Sequence, residues 1–372
     1  MAIFSLNNVL TVSISPKADA SVESVFTQNN IQIFNIGSVV EGNSVTVKNN
    51  SDVFVFNVSE TRDTWYKTSF LLDSKQSKNG MAQERYTNYK NQPLRFTFPS
   101  HFTGKLPVTS SLSLRAESRS EKRPKAAIIR EKGSNSEREM ANAMYLAGFD
   151  VKDVHMTDLI SGRENLEDIQ FIGAVGGFSN SDVLGSAKGW AGAFLYNEKA
   201  NTVLKNFFKR DDTLSVGICN GCQLFMELEL VNPEHEVHGK MQHNTSRKHE
   251  SGFTSVKVQK NNSVMLSTLE GSTLGVWISH GEGKFKLPYS EDKYKVVAKY
   301  AYDSYPANPN GSDFNTAMMC DVTGRHLVTM PHIERSTFTW NWANYPERNQ
   351  KDEVTPWLEA FVNARKWIDN KK

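Results

Sequence analysis

Cysteine is scarce in this chain: only Cys219, Cys222 and Cys320 occur among 372 residues. So low and odd a count excludes a disulfide framework and points to a reducing, cytoplasmic setting. An excess of either charge is lacking too. Lys and Arg number 43 against 41 Asp and Glu, a formal +2, which implies neither nucleic acid nor an anionic membrane as partner. No apolar run approaches the length of a membrane-spanning helix. The opening Met1-Ala2-Ile3-Phe4-Ser5-Leu6-Asn7-Asn8 has no basic start or following apolar stretch, so a signal peptide is not expected. Internal repeats and long low-complexity segments are also missing. What remains is a chain 38% hydrophobic, enough for cores, and long enough that two domains are the default.

The pattern along the chain divides it into 1–105, a linker over 106–123, and 124–372. In the first part, Val45-Thr46-Val47 alternates as a half-buried strand does, and Val53 to Val58 reads as a buried strand. Thr64 to Glu84 reads as a polar helix with Trp65 and Leu72 on one face available for burial. The linker holds Pro107, a run rich in serine and then mixed charge, and Pro124 follows it. Beyond it the rhythm changes. Strands at Ala126–Ile129, Phe171–Val175 and Leu214–Ile218 alternate with helices at Asn135–Ala147, Thr202–Phe208 and Gln223–Leu230, and Ser134 is the expected N-cap of the first helix. This is the signature of an α/β fold, a doubly wound, mostly parallel sheet whose ligands bind beyond the strand carboxyl ends. β segments dominate from Phe253, at 255–258, 276–280, 296–302, 317–322 and 326–330, before a closing helix near Thr355–Trp367. The first part reads as a smaller α+β domain.

Gly176-Gly177 and Cys219 both fall at strand ends. A strand that ends in Gly217-Ile218-Cys219-Asn220-Gly221 and runs straight into a helix has the form of a nucleophile elbow. The turn is sharp and its backbone strained, so small residues are needed two positions either side of the nucleophile. A helix start behind the sulfur favours a thiolate. The following N–H, from Asn220, is placed to bind an oxyanion. Cys219 could instead be a buried structural cysteine. Cys219-Asn220-Gly221-Cys222 is also a redox spacing. The flanking glycines favour the elbow over both. Zinc would need two further ligands, and no second cysteine pair exists, so no metal is expected. Cys222 then reads as helix packing and Cys320 as core.

A cysteine nucleophile needs a histidine base, itself oriented by a carboxylate. Two His-x-Glu pairs follow strands: His280-Gly281-Glu282 and His332-Ile333-Glu334. The spacing leaves the choice between them open. His235-Glu236-Val237-His238 follows no strand and reads as a polar surface loop.

From about Pro124 onward the chain resembles the class I (triad) glutamine amidotransferase domain of the phosphoribosylformylglycinamidine synthase family. The likeness is carried by Gly176-Gly177-Phe178-Ser179, Asp182-Val183-Leu184-Gly185, Lys188-Gly189-Trp190-Ala191, Gly217–Gln223, Asn244-Thr245-Ser246, His280-Gly281-Glu282-Gly283, Asn308–Ser312 and Met330-Pro331-His332-Ile333-Glu334-Arg335. It implies a flavodoxin-like α/β fold and a triad of Cys219, His332 and Glu334. It further implies oxyanion N–H groups at Gly177 and Asn220, with Gln223, Asn244 and Ser246 near a bound L-glutamine. His280 and Glu282 become a loop beside the site. Asn180-Ser181 stands where the family usually has Tyr-Gly, and Ile333 where it has proline; neither change removes a reacting group. Residues 1–105, through Thr61-Arg62-Asp63-Thr64-Trp65, are similar to the tail of the same family's synthetase part, itself akin to aminoimidazole ribonucleotide synthetase. The chain thus reads as a carboxy-terminal fragment.

The resemblance implies hydrolysis of glutamine to glutamate and ammonia through a cysteinyl thioester. No cofactor is implied for the glutaminase half. ATP and Mg2+ belong to the full-length enzyme, in which ammonia amidates formylglycinamide ribonucleotide in purine synthesis. The implied partner is the remainder of the synthetase polypeptide. Two other readings are a non-catalytic docking module and a cysteine hydrolase acting on peptides.

Overall fold

The computed structural model describes residues 19–107 and 123–371. These residues form two compact units, one up to Thr68 and one from Ser69 onward. The expected linker lies outside the described residues from 108 to 122, as does the amino-terminal octapeptide.

The first unit contains α1 (Asp19–Gln28) and an antiparallel hairpin of β1 (Ser44–Asn49) and β2 (Asp52–Asn57). Both strands form where the β-branched and aromatic residues predict them, but every residue of both is exposed. A two-stranded ribbon has no second layer to cover its apolar side chains. The helix expected over 64–84 is two helices, α2 (Val58–Gln76) and α3 (Met81–Asn88). They part where Asn79 and Gly80 take left-handed φ of 55° and 72°, which an α-helix cannot accommodate. Trp65 and Leu72 are exposed rather than buried.

In the second unit, nine strands make one sheet in the order β4-β3-β5-β6-β13-β12-β11-β8-β9. Its parallel half comprises β3 (Lys125–Arg130), β4 (Asp150–His155), β5 (Phe171–Ala174), β6 (Leu214–Ile218) and β13 (His326–Thr329). β5 and β6 are buried throughout, as continuous apolar runs in a covered parallel sheet should be. The antiparallel half comprises β8 (Glu250–Val258), β9 (Thr273–His280), β11 (Lys295–Tyr300) and β12 (Thr316–Cys320). A separate ribbon pairs β7 (Lys240–Gln242) with β10 (Lys284–Lys286).

Helices α4 (Glu137–Leu146) and α9 (Leu358–Asp369) pack together, while α5 (Met156–Ser161), α6 (Lys188–Leu195), α7 (Glu198–Lys209) and α8 (Asn220–Glu227) form a second group. The α/β class expected from the alternating pattern is the observed one. Ser134 does not cap α4. Its hydroxyl donates to the Glu131 carbonyl, and the helix begins two residues later than expected. The Asn135 N–H is drawn away to the Gly176 carbonyl, so local cap chemistry yields to a contact with the strand end. No helix of the described residues is long and apolar enough to cross a membrane.

Candidate active site

Cys219 sits between β6 and α8 with φ 53° and ψ −106°, far from the ordinary basins. Strain of this kind persists only where the surroundings impose it. Here the walls are backbone: a Cβ on Gly217 would lie 2.5 Å from the Gly221 carbonyl oxygen, and one on Gly221 would collide with the Ala174 carbonyl. The Cys219 N–H is held by the Thr329 carbonyl of the neighbouring strand at 2.8 Å. Its sulfur lies 3.5 Å from the Ser279 carbonyl oxygen at the end of β9. Ser279 reaches the sulfur through a backbone atom, which leaves no mark in residue type.

His332 lies just past β13 and donates its backbone N–H to the Trp277 carbonyl at 2.8 Å. Its Nδ1 is 2.6 Å from Glu334 Oε1, and both side chains are buried. Burial alone pushes the imidazole down; the Glu334 carboxylate and then the Cys219 sulfur outweigh it and raise His332 to about 10. His332 and Cys219 meet over Gly176, where an added Cβ would fall 2.8 Å from His332 Cε1 and 3.3 Å from Cys219 Cβ.

The second His-x-Glu pair does not pair internally. His280 Nδ1 faces Asn244 Oδ1 at 3.1 Å, and the same Oδ1 accepts from the Gly283 N–H. Asn244 Nδ2 already donates to the His280 and Lys248 carbonyls, so its oxygen is the acceptor and His280 Nδ1 carries the proton. Burial, then the neighbouring charge of His332, lowers His280 to about 3. Glu282 turns the other way, accepting from the Ser186 N–H and hydroxyl and lying 3.3 Å from His243.

The groups expected to bind substrate divide into two sets. Gly177 and Ser134 form an antiparallel bridge. The bonds either side run from Asn135 to Gly176 and from Phe178 to Gly133, so the Gly177 N–H points away from its partner strand. The Asn220 N–H is at the first turn of α8, where helices leave donors unsatisfied. The Asn220 side chain receives the Ser179 N–H at 3.0 Å and donates to Gln223 Oε1 at 2.9 Å and Asp182 Oδ1 at 3.2 Å. Gln223 in turn donates to the Glu282 carbonyl at 2.8 Å. Burial, and the nearby Glu282, hold the Asp182 carboxyl above its usual range. Asn244 reaches the site only through His280 and the 281–283 turn. Ser246 is buried on the far side of that loop, its carbonyl taking the Lys78 N–H.

A cleft of about 600 Å³ opens beside His332 and Glu334, walled by Arg138, Trp277, Ser279, Arg335 and Trp340. Trp340 is exposed and stacks on Phe338 with ring centroids 5.4 Å apart. His235 lies elsewhere, packed edge-on against Tyr289 and Tyr294. Among the described residues no cluster of His, Cys, Asp and Glu is arranged to hold a metal ion.

A buried, carboxylate-oriented imidazole beside a cysteine on a strained turn, with outward N–H groups near by, is suited to acyl transfer at a carbonyl. The chain is 39% identical over 344 residues to human phosphoribosylformylglycinamidine synthase, covering 83% of this chain and 25% of that protein. It is 37% identical over 362 residues to the probable chloroplastic/mitochondrial phosphoribosylformylglycinamidine synthase of Arabidopsis thaliana, covering 90% of this chain and 25% of that one. The chain thus spans about a quarter of the length of these curated relatives. A solved structure of PurLQS from Thermotoga maritima superposes with a TM-score of 0.50 at 24% identity, over 67% of this chain and 99% of that one, a likeness of fold. Residues 123–368 match the model of the CobB/CobQ-like glutamine amidotransferase domain, and the chain belongs to that family.

Proposed function

We propose that this chain hydrolyses the side-chain amide of L-glutamine, with Cys219 as nucleophile and His332 and Glu334 completing the triad. The observation that carries the reading is the Glu334-bound His332 packed with Cys219 over Gly176, in a chain of the glutamine amidotransferase family. The Cys219 thiolate attacks the amide carbon, and negative charge gathers on the amide oxygen. The N–H groups of Gly177 and Asn220 stabilise that oxygen. His332 gives its proton to the departing nitrogen, so that ammonia leaves and a γ-glutamyl thioester remains. The neutral imidazole then takes a proton from water, the hydroxide adds to the thioester carbonyl, and glutamate departs as the sulfur is released. Glu334 keeps the imidazole in its tautomer and orientation throughout. Gln223 orients the bound glutamine through the network it shares with Asn220.

The wider setting follows the relatives. Residues 1–105 belong in this reading to the synthetase portion, 106–123 to a linker and 124–372 to the glutaminase. Ammonia would serve ATP-dependent amidation of formylglycinamide ribonucleotide in the whole enzyme. ATP and Mg2+ act in that synthetase portion, and no step of glutamine hydrolysis runs through them. Three unpaired, buried cysteines fit a cytoplasmic setting.

Incubation with a diazo ketone analogue of glutamine, followed by peptide mapping, tests the proposal. A single adduct on Cys219 is expected, lost in Cys219→Ala and blocked by glutamine. Labelling elsewhere, or none even with the synthetase portion added, contradicts it. Peptide cleavage without glutamine turnover would replace it with a peptide hydrolase, and inert Cys219 beside tight synthetase binding with a docking module.

A further inference from the structure

Residues 73–92 precede the region that matches the family model, yet they are bonded to the loop that shapes the site. The Lys78 N–H donates to the Ser246 carbonyl at 2.8 Å. Asn79 Nδ2 donates to the Thr245 carbonyl at 2.7 Å. Asp73, at the end of α2, is buried and takes the Lys248 ammonium. Arg85 of α3 reaches Glu250 Oε2 at 2.6 Å and Asp73 Oδ2 at 3.5 Å. Glu250 is only 3% exposed, and its other oxygen accepts from the Tyr305 hydroxyl at 3.0 Å. Two nearly buried carboxylates therefore depend on one guanidinium and one ammonium, and removing either cation would leave an uncompensated buried charge.

The other face of the same loop belongs to the site. Asn244 is completely buried and bonds His280 through both ring and carbonyl, together with the N–H of Gly283. Glu250 also stands directly opposite His280 in the β8–β9 register. From His280 the chain runs one residue back to Ser279, whose carbonyl faces the Cys219 sulfur, and two residues on to Glu282, whose carbonyl holds Gln223. His280 Nε2 is buried with no protein partner among the described residues. The ring is thus held by its Nδ1 alone, and its position depends on where Asn244 puts it.

The geometry points to a clamp: the turn between α2 and α3 and the last turn of α3, through Asn79 and Arg85, position the 244–250 loop and with it the 279–283 wall of the glutamine site. These are positioning residues, for none touches the reacting atoms. The inference rests on the proposed glutaminase reading. Cys219, His332 and Glu334 stand on other strand ends, so loosening the clamp should weaken glutamine binding more than it slows chemistry. Coupling of a remote contact to a binding site is typically about five- to a hundred-and-fiftyfold in affinity.

The test uses the whole 372-residue chain and saturation kinetics of Cys219 labelling by the diazo ketone analogue. Iodoacetamide, which needs no glutamine pocket, serves as the reference. For Arg85→Met the half-saturating analogue concentration is expected to rise about ten- to a hundredfold, with the maximal labelling rate and the iodoacetamide rate held. Arg85→Lys, which keeps a cation beside the two carboxylates but not the two-armed reach of the guanidinium, should restore part of the affinity. An unchanged half-saturation in Arg85→Met overturns the clamp. So does a parallel change in iodoacetamide reactivity, which would mark general loosening. Should Arg85→Met not fold, Asn79→Gly decides: it removes one bond from an exposed side chain and keeps the left-handed backbone, and unchanged affinity there overturns the inference equally. Failure of the wild-type chain to label at Cys219, even with the synthetase portion added, would instead overturn the glutaminase reading, and the clamp with it.

Discussion

Gly217 faces the Gly221 carbonyl across the turn that carries Cys219, and Gly221 in turn faces the Ala174 carbonyl at the end of β5. A methyl group at either position meets main-chain atoms, which cannot rotate aside. Gly221→Ala is expected to lower stability by about 1–3 kcal/mol, the usual cost of overpacking a tight site. Urea denaturation followed by far-UV circular dichroism measures it, and an unchanged midpoint would mean that the turn has slack the close approach denies.

The His332–Glu334 pair gives a second expectation. A histidine whose folded value is raised stabilises the fold fully below its unfolded value, and that contribution is lost as pH rises through the folded value. For His332 the window runs from about 6.5 up to about 10. Wild-type stability should therefore fall across that range, and Glu334→Gln should flatten the fall. The same substitution removes the group that sets the tautomer, so analogue labelling should slow by at least about a hundredfold. Labelling at the wild-type rate would remove Glu334 from the proposed triad.

On the acid side the sign reverses. His280 is lowered to about 3 and His326 to about 4, each chiefly by burial. The unfolded chain takes up protons that the folded chain refuses. Their contribution is whole above about 6.5 and is lost as pH falls toward those values. His280→Gln should reduce the slope of stability against pH between 4 and 6, leaving the share of His326. A slope identical to that of the wild type would show that His280 is protonated in the fold.

The cysteines should differ in reactivity. Cys222 and Cys320 are fully buried, and burial pushes both thiols up, Cys320 to about 12. Cys219 alone keeps some exposure, at 5%. One equivalent of iodoacetamide per native chain is expected, mapped to Cys219. Comparable labelling of Cys222 would revive the redox reading of the Cys219–Cys222 spacing.

What could be read in advance follows from how local the cause is. The turn at Cys219 is written in consecutive residues, because a strained corner between an apolar strand and a helix demands glycine at fixed offsets. The strands of the antiparallel half were likewise visible in their own residues. The start of α4 was not, since the Asn135 N–H is captured by Gly176 from another strand. The burial expected for Trp65, Leu72 and the strands near Val45 and Val53 failed for a related reason: apolar pattern specifies a face, not what covers it. The pairs His280–Glu282 and His332–Glu334 have the same spacing, and only long-range partners tell them apart. Asn244 claims His280, whereas nothing intervenes between His332 and Glu334.

Ile218 and Thr329 are register partners on adjacent parallel strands, and Cys219 and His332 follow one and three residues later. Their separation is therefore set by the spacing of two hydrogen-bonded strands, which is nearly the same in every sheet. The loops that would contact substrate are attached elsewhere. A lineage can rewrite those loops while the distance between the proposed nucleophile and base stays as it was.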